Sequence, residues 1–577
     1  MEHHAQVLLG GVWRQRLPNW RDLAAIILVL AVLGLIGTAA RQMVSPWVAA
    51  QQPVISLSPA ALPLYALRTT VRMLLALAAS LLFTFTYATL AAKSRRAEML
   101  LIPLLDVLQS VPILGYLSFT VVFFVSLFPN NVLGLECAAI FAIFTSQAWN
   151  MAFSFYQSLR TIPHDLDEAS RSIRYSPWQR FWRLEVPFAM PGLIWNMMMS
   201  MSGGWFFVVA SEAISVGDVH YVLPGVGSYV ERAIEQQNLA AVGWAIVAMT
   251  VTILIYDQLL FRPMVTWAEK FRVEQTAAQI VPRSRVLELF RRSGLLRSIG
   301  DRLGTGLERV ARARLLPLSV HWSQRWSPPR RTVDLIWYGF ILATIGYSIA
   351  TVARFVGSEI SWADLALVAS NGALTLMRVL VLIALATLIW VPIGVAVGLR
   401  PRLAEKVQPV AQFLAAFPAN LLFPVAVFLI LRFHLAPKIW LTPLMILGTQ
   451  WYILFNVIAG ASAFPTDLRE AAGSFRIRGA RWWREVMLPG IFPYYVTGAI
   501  TASGGSWNAS IVSEAVSWGP NKLNAQGLGA YIAQMTDAGD YPRIALGIAV
   551  MSVLVIAMNR LLWRPLYAFA ERRTRLD

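Results

Sequence analysis

Long apolar runs alternate with short polar, basic stretches along this chain of 577 residues. A helix needs roughly 20 apolar residues to cross the hydrocarbon core of a bilayer. Such runs predict about twelve membrane-spanning helices, six in each half. We place them near 23–40, 69–92, 99–127, 132–157, 188–212, 239–261, 333–353, 373–399, 407–432, 438–460, 490–513 and 542–563. The run 99–127 contains Pro103 and Pro112 and is long for one crossing, so we expect it to begin with a short surface segment.

The composition is that of an integral membrane protein. Hydrophobic residues make up 57% of the chain and charged residues 14%, which is too apolar for a water-soluble protein of this length. The net charge of +18 does not indicate nucleic-acid binding, because Arg and Lys stand in clusters beside the apolar runs, as in loops that face anionic lipid. The single cysteine, Cys137, excludes an internal disulfide, and the histidines show no ligand spacing, so we expect no metal site.

The basic clusters also predict the orientation in the membrane. They precede the first predicted span and follow the second and the fourth, and the second half repeats this arrangement down to the tail 571–575. The positive-inside rule therefore places these segments and both termini in the cytoplasm.

An internal repeat divides the chain. Glu168, Ala169, Ser170 and Pro187 recur, at a constant offset of 302 residues, as Glu470, Ala471, Ala472 and Pro489. Farther upstream the offset is 306, which pairs Arg72 with Arg378. We predict a first repeat at 1–263 with its core near 60–263, a basic cytoplasmic linker at 264–332, and a second repeat at 333–577 with its core near 365–567.

Each repeat carries a polar stretch between its fourth and fifth spans. An even number of spans per half makes the repeats parallel, so both stretches lie on the same side of the membrane. The apolar spacing within each predicts two short helices. Two equivalent projections on one side suit docking onto a two-fold-related soluble partner.

The Glu-Ala pair followed by Val-Pro or Leu-Pro, with Pro 19 residues after the Glu, resembles the EAA loop of ABC importer permeases. The segment 176–187, Ser-Pro-Trp-Gln-Arg-Phe-Trp-Arg-Leu-Glu-Val-Pro, is similar to that family throughout. The residues around Trp205, Glu212 and the Gly-Val-Gly at 225–227, with their counterparts, resemble the permeases for nitrate, taurine, sulfonates and bicarbonate. Those proteins usually consist of one six-helix chain used twice.

The resemblance implies an all-α, type I ABC importer permease of the bacterial inner membrane, which forms an alternating-access path for a small solute such as sulfonate, nitrate or bicarbonate. It implies two ATP-binding cassette subunits that bind ATP and Mg, and a periplasmic or lipid-anchored solute-binding protein. The chain has no Gly-x-x-x-x-Gly-Lys-Ser/Thr phosphate loop, so we expect it not to be an enzyme itself. The residues implied in docking are Asp167, Glu168, Ala169, Ser170, Arg174, Pro187, Arg469, Glu470, Ala471, Ala472, Arg476, Gly479 and Pro489.

One position departs from the family. Six residues after the Glu, relatives normally have Gly, whereas this chain has Arg174 and Arg476. Gly adopts positive φ at little cost and Arg does not. Either the turn has moved, to Ser176 and Pro177 in the first loop and to Gly479 in the second, or the helices run straight through. A changed partner surface with basic contacts is an equally good interpretation.

Candidates for the solute path lie on the fourth and fifth helices of each half. They are Gln147, Asn150, Trp205, Glu212, Gln450, Tyr452, Trp507, Asn508 and Glu514. Neutral amide and aromatic donors can bind an oxyanion and still release it, and bridging between helices is the alternative role. An unpaired carboxylate in hydrocarbon costs about 2.5–3.5 kcal/mol, so a salt bridge or loop cap is favoured for Glu212 and Glu514 over solute contact.

The alternative function is a self-sufficient secondary transporter with two parallel six-helix halves. It needs coupling carboxylates deep in the membrane, where the nearest candidates are Asp106 and Glu136. We expect both at the water interface. The duplicated loop favours the ATP-driven importer.

Overall fold

The computed structural model describes residues 53–217, 219–271, 294–313 and 360–574, with a few single positions between these ranges. The predicted first helix of each half, near 23–40 and 333–353, lies outside them. Of the predicted linker, residues 264–271 and a helix within 294–313 are described, and most of the remainder lies outside these ranges.

The described chain is built mainly of α-helices. The first half contains α1 (Leu62–Lys93), α2 (Arg95–Ser110), α3 (Ile113–Leu127), α4 (Val132–Arg160), α5 (His164–Ser172), α6 (Pro177–Arg180), α7 (Val186–Ser211), α8 (Val226–Glu235), α9 (Leu239–Tyr256) and α10 (Arg262–Ala268). The linker contributes α11 (Gly294–Arg312). The second half contains α12 (Trp362–Gly398), α13 (Pro401–Ala416), α14 (Phe423–Arg432), α15 (Pro437–Trp440), α16 (Gln450–Ser462), α17 (Thr466–Ser474), α18 (Gly479–Trp482), α19 (Leu488–Ser513), α20 (Leu528–Ala538), α21 (Tyr541–Met558) and α22 (Arg564–Thr574).

In each half, a short antiparallel hairpin follows the helix that comes after the polar loop, which is α7 in the first half and α19 in the second. Strands β1 (Ala213–Val216) and β2 (Val219–Val222) follow α7, and strands β3 (Ala515–Trp518) and β4 (Asn521–Asn524) follow α19. The hairpins turn at Gly217 and Gly519, both with φ of +58°, a conformation that glycine adopts without strain. The two hairpins are equivalent in register, as expected for a repeat.

The number of membrane-crossing helices is supported in part. Within the described residues, six helices are long and apolar enough to cross a bilayer, and three further pairs qualify if each bent pair counts as one span. Helix α19 has the same length as α7, 26 residues. Its many Gly, Ser and Thr residues make it less apolar, and it is not among the six helices and three bent pairs that qualify as spans. The structure thus agrees with a polytopic helical membrane protein, and the count of twelve stays a prediction.

The third predicted span of each half is bent. Helices α2 and α3 meet at 100°, and α13 and the segment leading into α14 meet at 79°. The bends lie at Val111–Pro112 and at Phe417–Pro418, where Val111 and Phe417 are extended. Proline lacks an N–H and disfavours helical backbone in the residue before it, so each helix ends there. The bend agrees with our prediction that the run 99–127 is not one straight crossing.

These bent segments interlock the halves. One apolar core combines α1, α4, α7 and α9 with Leu421 and Phe423 of the second half. The other combines α12, α16, α19 and α21 with Ile113 and Leu117 of α3. Each half therefore completes the core of the other.

The hairpins also join the halves. The Gly217 N–H donates to the Thr536 carbonyl of α20 at 3.0 Å, and the Gly519 N–H donates to the Ile234 carbonyl of α8 at 3.0 Å. We call residues 213–222 and 515–524 the hairpin face. Helices α7 and α19 are about 39 Å long at 1.5 Å per residue, so residues 161–185 and 463–487, which precede them, form the opposite end, the loop face.

Candidate functional site

A buried arginine holds two carboxylates where α7 ends. Arg72 of α1 donates through Nη1 to Glu212 Oε1 at 2.7 Å, and through Nε and Nη2 to the two oxygens of Glu136 at 2.6 and 2.8 Å. Thr69 Oγ1 donates to Glu212 at 2.7 Å. Arg72 and Glu212 are 0% exposed. Charges removed from water are tolerated only when paired and hydrogen-bonded, so these four residues act as one unit, the Arg72 cluster.

Two glycines bring the backbone onto this cluster. The Gly227 N–H donates to Glu212 Oε2 at 2.7 Å. A Cβ at Gly225 would overlap the Glu212 carboxylate, and one at Gly227 would overlap the Val209 carbonyl. The Gly-Val-Gly motif is therefore required for close approach, and it fastens the start of α8 to the end of α7 and to α1.

The second half repeats this arrangement with fewer charges. Arg378 Nη1 and Thr375 Oγ1 each donate to Glu514 Oε1 at 2.9 Å, and the Gly529 N–H donates to Glu514 Oε2 at 2.8 Å. Added side chains at Gly527 or Gly529 would overlap the Glu514 carboxylate or the α19 backbone. Among the described residues, Glu514 is the only carboxylate paired with Arg378, whose side chain is 13% exposed.

Glu212 and Glu514 thus lie buried inside each half, where arginine, threonine and backbone N–H groups donate to their oxygens. The sequence points to both carboxylates, but their pairing with Arg72 and Arg378 is seen only in the structure. The available signal was an arginine within an apolar run, repeated at the 306-residue offset, since such a residue implies a buried partner. Glu136 is buried against Arg72 instead of facing water, whereas Asp106 is partly exposed and pairs with Arg564.

Neutral polar side chains lie where the two halves meet. Asn508 Oδ1 of α19 accepts the Ile113 N–H of α3 at 2.7 Å. From the other side, Asn420 Nδ2 donates to the Phe206 carbonyl of α7 at 3.1 Å. The bent segment of the first half is thereby hydrogen-bonded to α19, and that of the second half to α7.

The remaining path candidates divide by position. The Tyr452 hydroxyl lies 3.5 Å from where a Cβ of Gly203 would stand, on the opposite half. The glutamines contact residues of their own halves: Gln147 is buried with Nε2 against Met201 Sδ at 2.9 Å, and Gln450 accepts from Trp390 Nε1 at 2.9 Å. Trp205 and Trp507 are packed in the cores. Asn150 is exposed. The structure therefore brings Tyr452 and Asn508, of all the predicted path residues, to the boundary between the halves.

The two polar loops share one geometry. Helix α5 ends at Ser172 before α6 begins at Pro177, and α17 ends at Ser474 before α18 begins at Gly479. Arg174 has a φ of 57° and Arg476 a φ of 53°. The helices therefore do not run straight through. In the first loop the left-handed residue is Arg174, whereas the second loop has two, Arg476 and Gly479, the latter with a φ of 60°. Arginine thus adopts the left-handed conformation in both loops.

Each turn presents an apolar residue beside this arginine. Ile173 is 63% exposed and Phe475 is 81% exposed, at equivalent positions of the repeat. A large apolar side chain kept exposed at the same place in both loops indicates a contact surface.

The residues implied in docking surround these tips. In the first loop, Glu168 is exposed and pairs with His164 at 3.3 Å, and Asp167 pairs with Arg171 and Arg180. In the second loop, Arg469 and Glu470 are exposed, whereas the equivalent residues Ser170 and Ala472 are buried in both loops. Pro187 and Pro489 lie in the first turns of α7 and α19. Proline suits the first turn because its missing N–H has no helical acceptor there.

The hairpin face has a crevice in each half, and the two differ in charge. The first, of about 310 Å³, is lined by Ser215, His220, Glu231, Arg232 and Glu235, among others. The second, of about 220 Å³, is lined by Asn371, Lys438, Gln526, Tyr531 and Gln534, among others. The first is therefore rich in carboxylates, and the second in amides with one lysine.

Glu231 is the titratable group of interest in the first crevice. Part of its side chain reaches solvent, but burial in the crevice, with repulsion from Glu235 and from Asp537 of the other half, raises the pKa of Glu231 to about 7. Its ionisation places like charges across the boundary that the hairpins join.

Two segments of the chain, residues 84–261 and 389–575, each match the protein family described as binding-protein-dependent transport system inner membrane component. Similar proteins include the bicarbonate transport system permease protein CmpB of Synechococcus elongatus, 26% identical over 182 residues (32% of this chain, 59% of that protein). The glycine betaine/proline betaine transport system permease protein ProW of Escherichia coli is 31% identical over 170 residues (29% and 43%). The nitrate import permease protein NrtB of Leptolyngbya laminosa is 23% identical over 189 residues (33% and 64%). The chain thus spans roughly half of the length of these relatives.

We predict that Arg72→Met lowers the free energy of unfolding by about 3–5 kcal/mol, because it leaves two buried carboxylates without a counter-charge. Arg378→Met should lower it less, since one carboxylate is affected. SDS-titrated and thermal unfolding in detergent measure both changes. Arg232→Met is the matched control, because its pair with Glu235 is about half exposed and should contribute less than about 1 kcal/mol. Equal losses for Arg72→Met and Arg232→Met would contradict the central role of the Arg72 cluster.

We predict that Arg174→Gly stabilises the isolated chain by up to about 1 kcal/mol, because glycine removes the cost of a left-handed arginine. Arg171→Gly, three residues away in the last turn of α5, should instead destabilise it, because glycine has a lower helix propensity and the change removes the ion pair with Asp167. The same unfolding assays compare the two. If both variants lose stability equally, the left-handed turn at Arg174 is wrong.

We predict that the contact between hairpin and helix loosens as the pH rises from about 4.5 to about 7, the interval between the ordinary and the raised pKa of Glu231. The raised pKa means that neutral Glu231 favours the closed contact, so its stabilising effect is complete at low pH and is lost as the pH rises through about 7. Hydrogen exchange of the Gly217 amide, corrected for intrinsic base catalysis, measures this loosening. Glu231→Gln should abolish the dependence and Glu470→Gln, on the loop face, should not. A pH dependence that survives Glu231→Gln would refute the assignment.

Proposed function

We propose, from the premise that this chain belongs to the family of binding-protein-dependent transport system inner membrane components, that it is the fused transmembrane permease subunit of an ATP-driven ABC importer. The observation that carries the proposal is the duplicated loop, with the same left-handed turn and the same exposed apolar tip in both copies. One chain supplies both docking surfaces and both halves of the solute path.

The loop face is the docking surface for two ATP-binding cassette subunits, which bind the ATP and Mg. Ile173 and Phe475 enter apolar clefts of these subunits, and Arg174 and Arg476 contact their rims. This assignment places the loop face and both termini in the cytoplasm of a bacterial cell, and the hairpin face toward a periplasmic or lipid-anchored solute-binding protein. The basic segments of the chain support this orientation.

Helices α7 and α19 connect the loop face to the hairpin face, so a movement of the loops is transmitted to the hairpins. Each loop continues through a short π-helical segment into α7 or α19. The far end of α7 is clamped to α1 and α8 by the Arg72 cluster, so it carries the hairpin with it. Closing the two ATP-binding subunits moves the loops together and separates the hairpins, which breaks the Gly217–Thr536 and Gly519–Ile234 hydrogen bonds. Breaking the two hydrogen bonds costs about 1 kcal/mol net for each, which is small compared with the free energy of ATP hydrolysis.

The solute is a small oxyanion of the sulfonate, nitrate or bicarbonate kind. The boundary between the halves offers Asn508, Asn420 and Tyr452, which are neutral groups that bind an oxyanion without a fixed counter-charge. The relatives named for bicarbonate and nitrate support this class. The relative named for betaines makes a zwitterion the competing outcome.

A secondary transporter needs carboxylates that are free to exchange protons or ions. The buried carboxylates Glu136 and Glu212 are both held by Arg72 at 2.6–2.8 Å. They are therefore structural ion pairs, and this arrangement favours the ATP-driven importer.

We predict that the tagged chain, purified from its native membrane, retains two ATP-binding subunits per chain. Ile173→Asp combined with Phe475→Asp should reduce retention about tenfold or more, because each change removes the burial of one apolar side chain. Val54→Asp is the matched control, since Val54 is 92% exposed and lines the first crevice, beside the hairpin face. Quantitative mass spectrometry of the purified complex measures the ratio.

Purification of the chain alone, together with solute uptake into liposomes without ATP, would establish the secondary transporter instead. With the ATP-binding subunits present, ATP-driven uptake of labelled nitrate, bicarbonate and a sulfonate is compared with that of glycine betaine. Uptake of glycine betaine alone would overturn the oxyanion assignment and leave the importer intact.

A further inference from the structure

The linker helix α11 contacts the first loop. Trp178 Nε1 donates to the Val310 carbonyl at 2.8 Å, and Gln179 Nε2 donates to the Arg312 carbonyl at 2.8 Å. Both carbonyls lie in the last turn of α11, where a helix lacks internal donors. Two side chains of α6 therefore cap the linker helix and hold its end beside the loop.

The second loop does not offer these donors. At the same 302-residue offset, Trp178 and Gln179 correspond to Ala480 and Arg481. Alanine has no side-chain donor, and Arg481 Nε is engaged with Glu485 at 2.9 Å. The sequence thus provides for an attached helix at one loop and not at the other.

A second difference lies at the base of the loops. In the first loop, Arg180 pairs with Asp167 at 2.6 Å and with buried Glu185 at 3.2 Å, and Glu185 pairs with Lys93 of α1 at 2.8 Å. This chain of opposite charges ties the first loop to the end of α1.

All four of these positions change in the second repeat. Asp167, Arg180, Glu185 and Lys93 correspond to Arg469, Trp482, Met487 and Leu399. Met487 is buried in the second core, and Leu399 and Trp482 pack against that core. At three of the four positions an ionic attachment has been replaced by an apolar one, while Arg469 is charged and exposed. The attachment of the two loops to the helix bundle has therefore diverged.

From these observations we propose that the two docking surfaces are not equivalent, and that α11 forms part of the first one. The inference rests on the proposed function. The ATP-binding subunit at the first loop contacts the tip at Ile173 together with α11, whose Arg302, Arg309 and Arg312 are exposed. The subunit at the second loop contacts the tip at Phe475 without a linker helix. The partner at the first surface therefore needs an additional acidic patch that the other surface does not use.

The test removes the two donors and leaves the loop intact. Trp178→Phe keeps a ring beside Trp182, which lies 5.8 Å away between centroids. Gln179→Glu keeps the oxygen that accepts the Ser176 N–H at 3.0 Å in the capping box. Arg481→Gln on the second loop is the matched control. The readout is cross-linking to the co-purifying ATP-binding subunit, with photoreactive benzoylphenylalanine replacing either Ile173 or Phe475.

In the Trp178→Phe, Gln179→Glu variant, cross-linking from position 173 should fall about thirtyfold, the size expected for the loss of two ordinary hydrogen bonds. Cross-linking from position 475 should not change, and Arg481→Gln should change neither. Hydrogen exchange across 294–313 should show that α11 loses protection in the same variant.

The outcomes separate the two proposals. Absence of cross-links at both positions in the parent chain overturns the proposed function. Cross-links at both positions that the variant leaves unchanged, or lowers equally, overturn the non-equivalence and preserve the importer. Unchanged protection of α11 also overturns it, because the helix would then not depend on Trp178 and Gln179.

Discussion

A carboxylate removed from water must keep a counter-charge, and this requirement organises the hairpin end of both halves. Glu212 lies at the end of α7 with no exposed surface, and its oxygens are shared among Arg72, Thr69 and the Gly227 amide. These partners come from two other elements, α1 and α8, so the carboxylate at the end of α7 can be satisfied only when α1, α7 and α8 are all in place. The same requirement leaves no room for a side chain at Gly225. One buried charge thus determines the packing, the hairpin position and a glycine motif 13 residues away in the sequence.

Hydropathy predicted the long helices because the bilayer imposes a length and an apolar composition on each crossing. The run 69–92 lies within α1 and 132–157 within α4, and the bend in 99–127 followed from Pro112. The partner of Glu212 could not be predicted, because Arg72 lies 140 residues away and their meeting depends on how separate helices pack. The turn at Arg174 was equally inaccessible, since local propensity disfavours the conformation that the flanking helices impose.

The path candidates show a similar limit. Gln450 and Tyr452 are neighbours on α16 and are both polar, but Gln450 contacts Trp390 of its own half and Tyr452 reaches the other half. Two residues along an α-helix differ by about 200° in direction, so position on the helix decides their roles. Residue type alone identifies groups able to bind a solute, and the rotation of the helix decides which of them can meet one. The loops were recognisable from sequence because their motif is local and occurs twice.

The shared cores have a consequence for how such a protein arises and diverges. Because Leu421 completes the first core and Ile113 the second, neither half can reach its packed state alone. In a pair of separate, identical chains, any substitution would appear in both copies and would have to suit both positions. A covalent link guarantees that unlike halves meet at high local concentration and removes competition from like pairs. Fusion therefore allows each half to accept substitutions that the other half lacks. No additional residues are needed to ensure that two unlike halves associate.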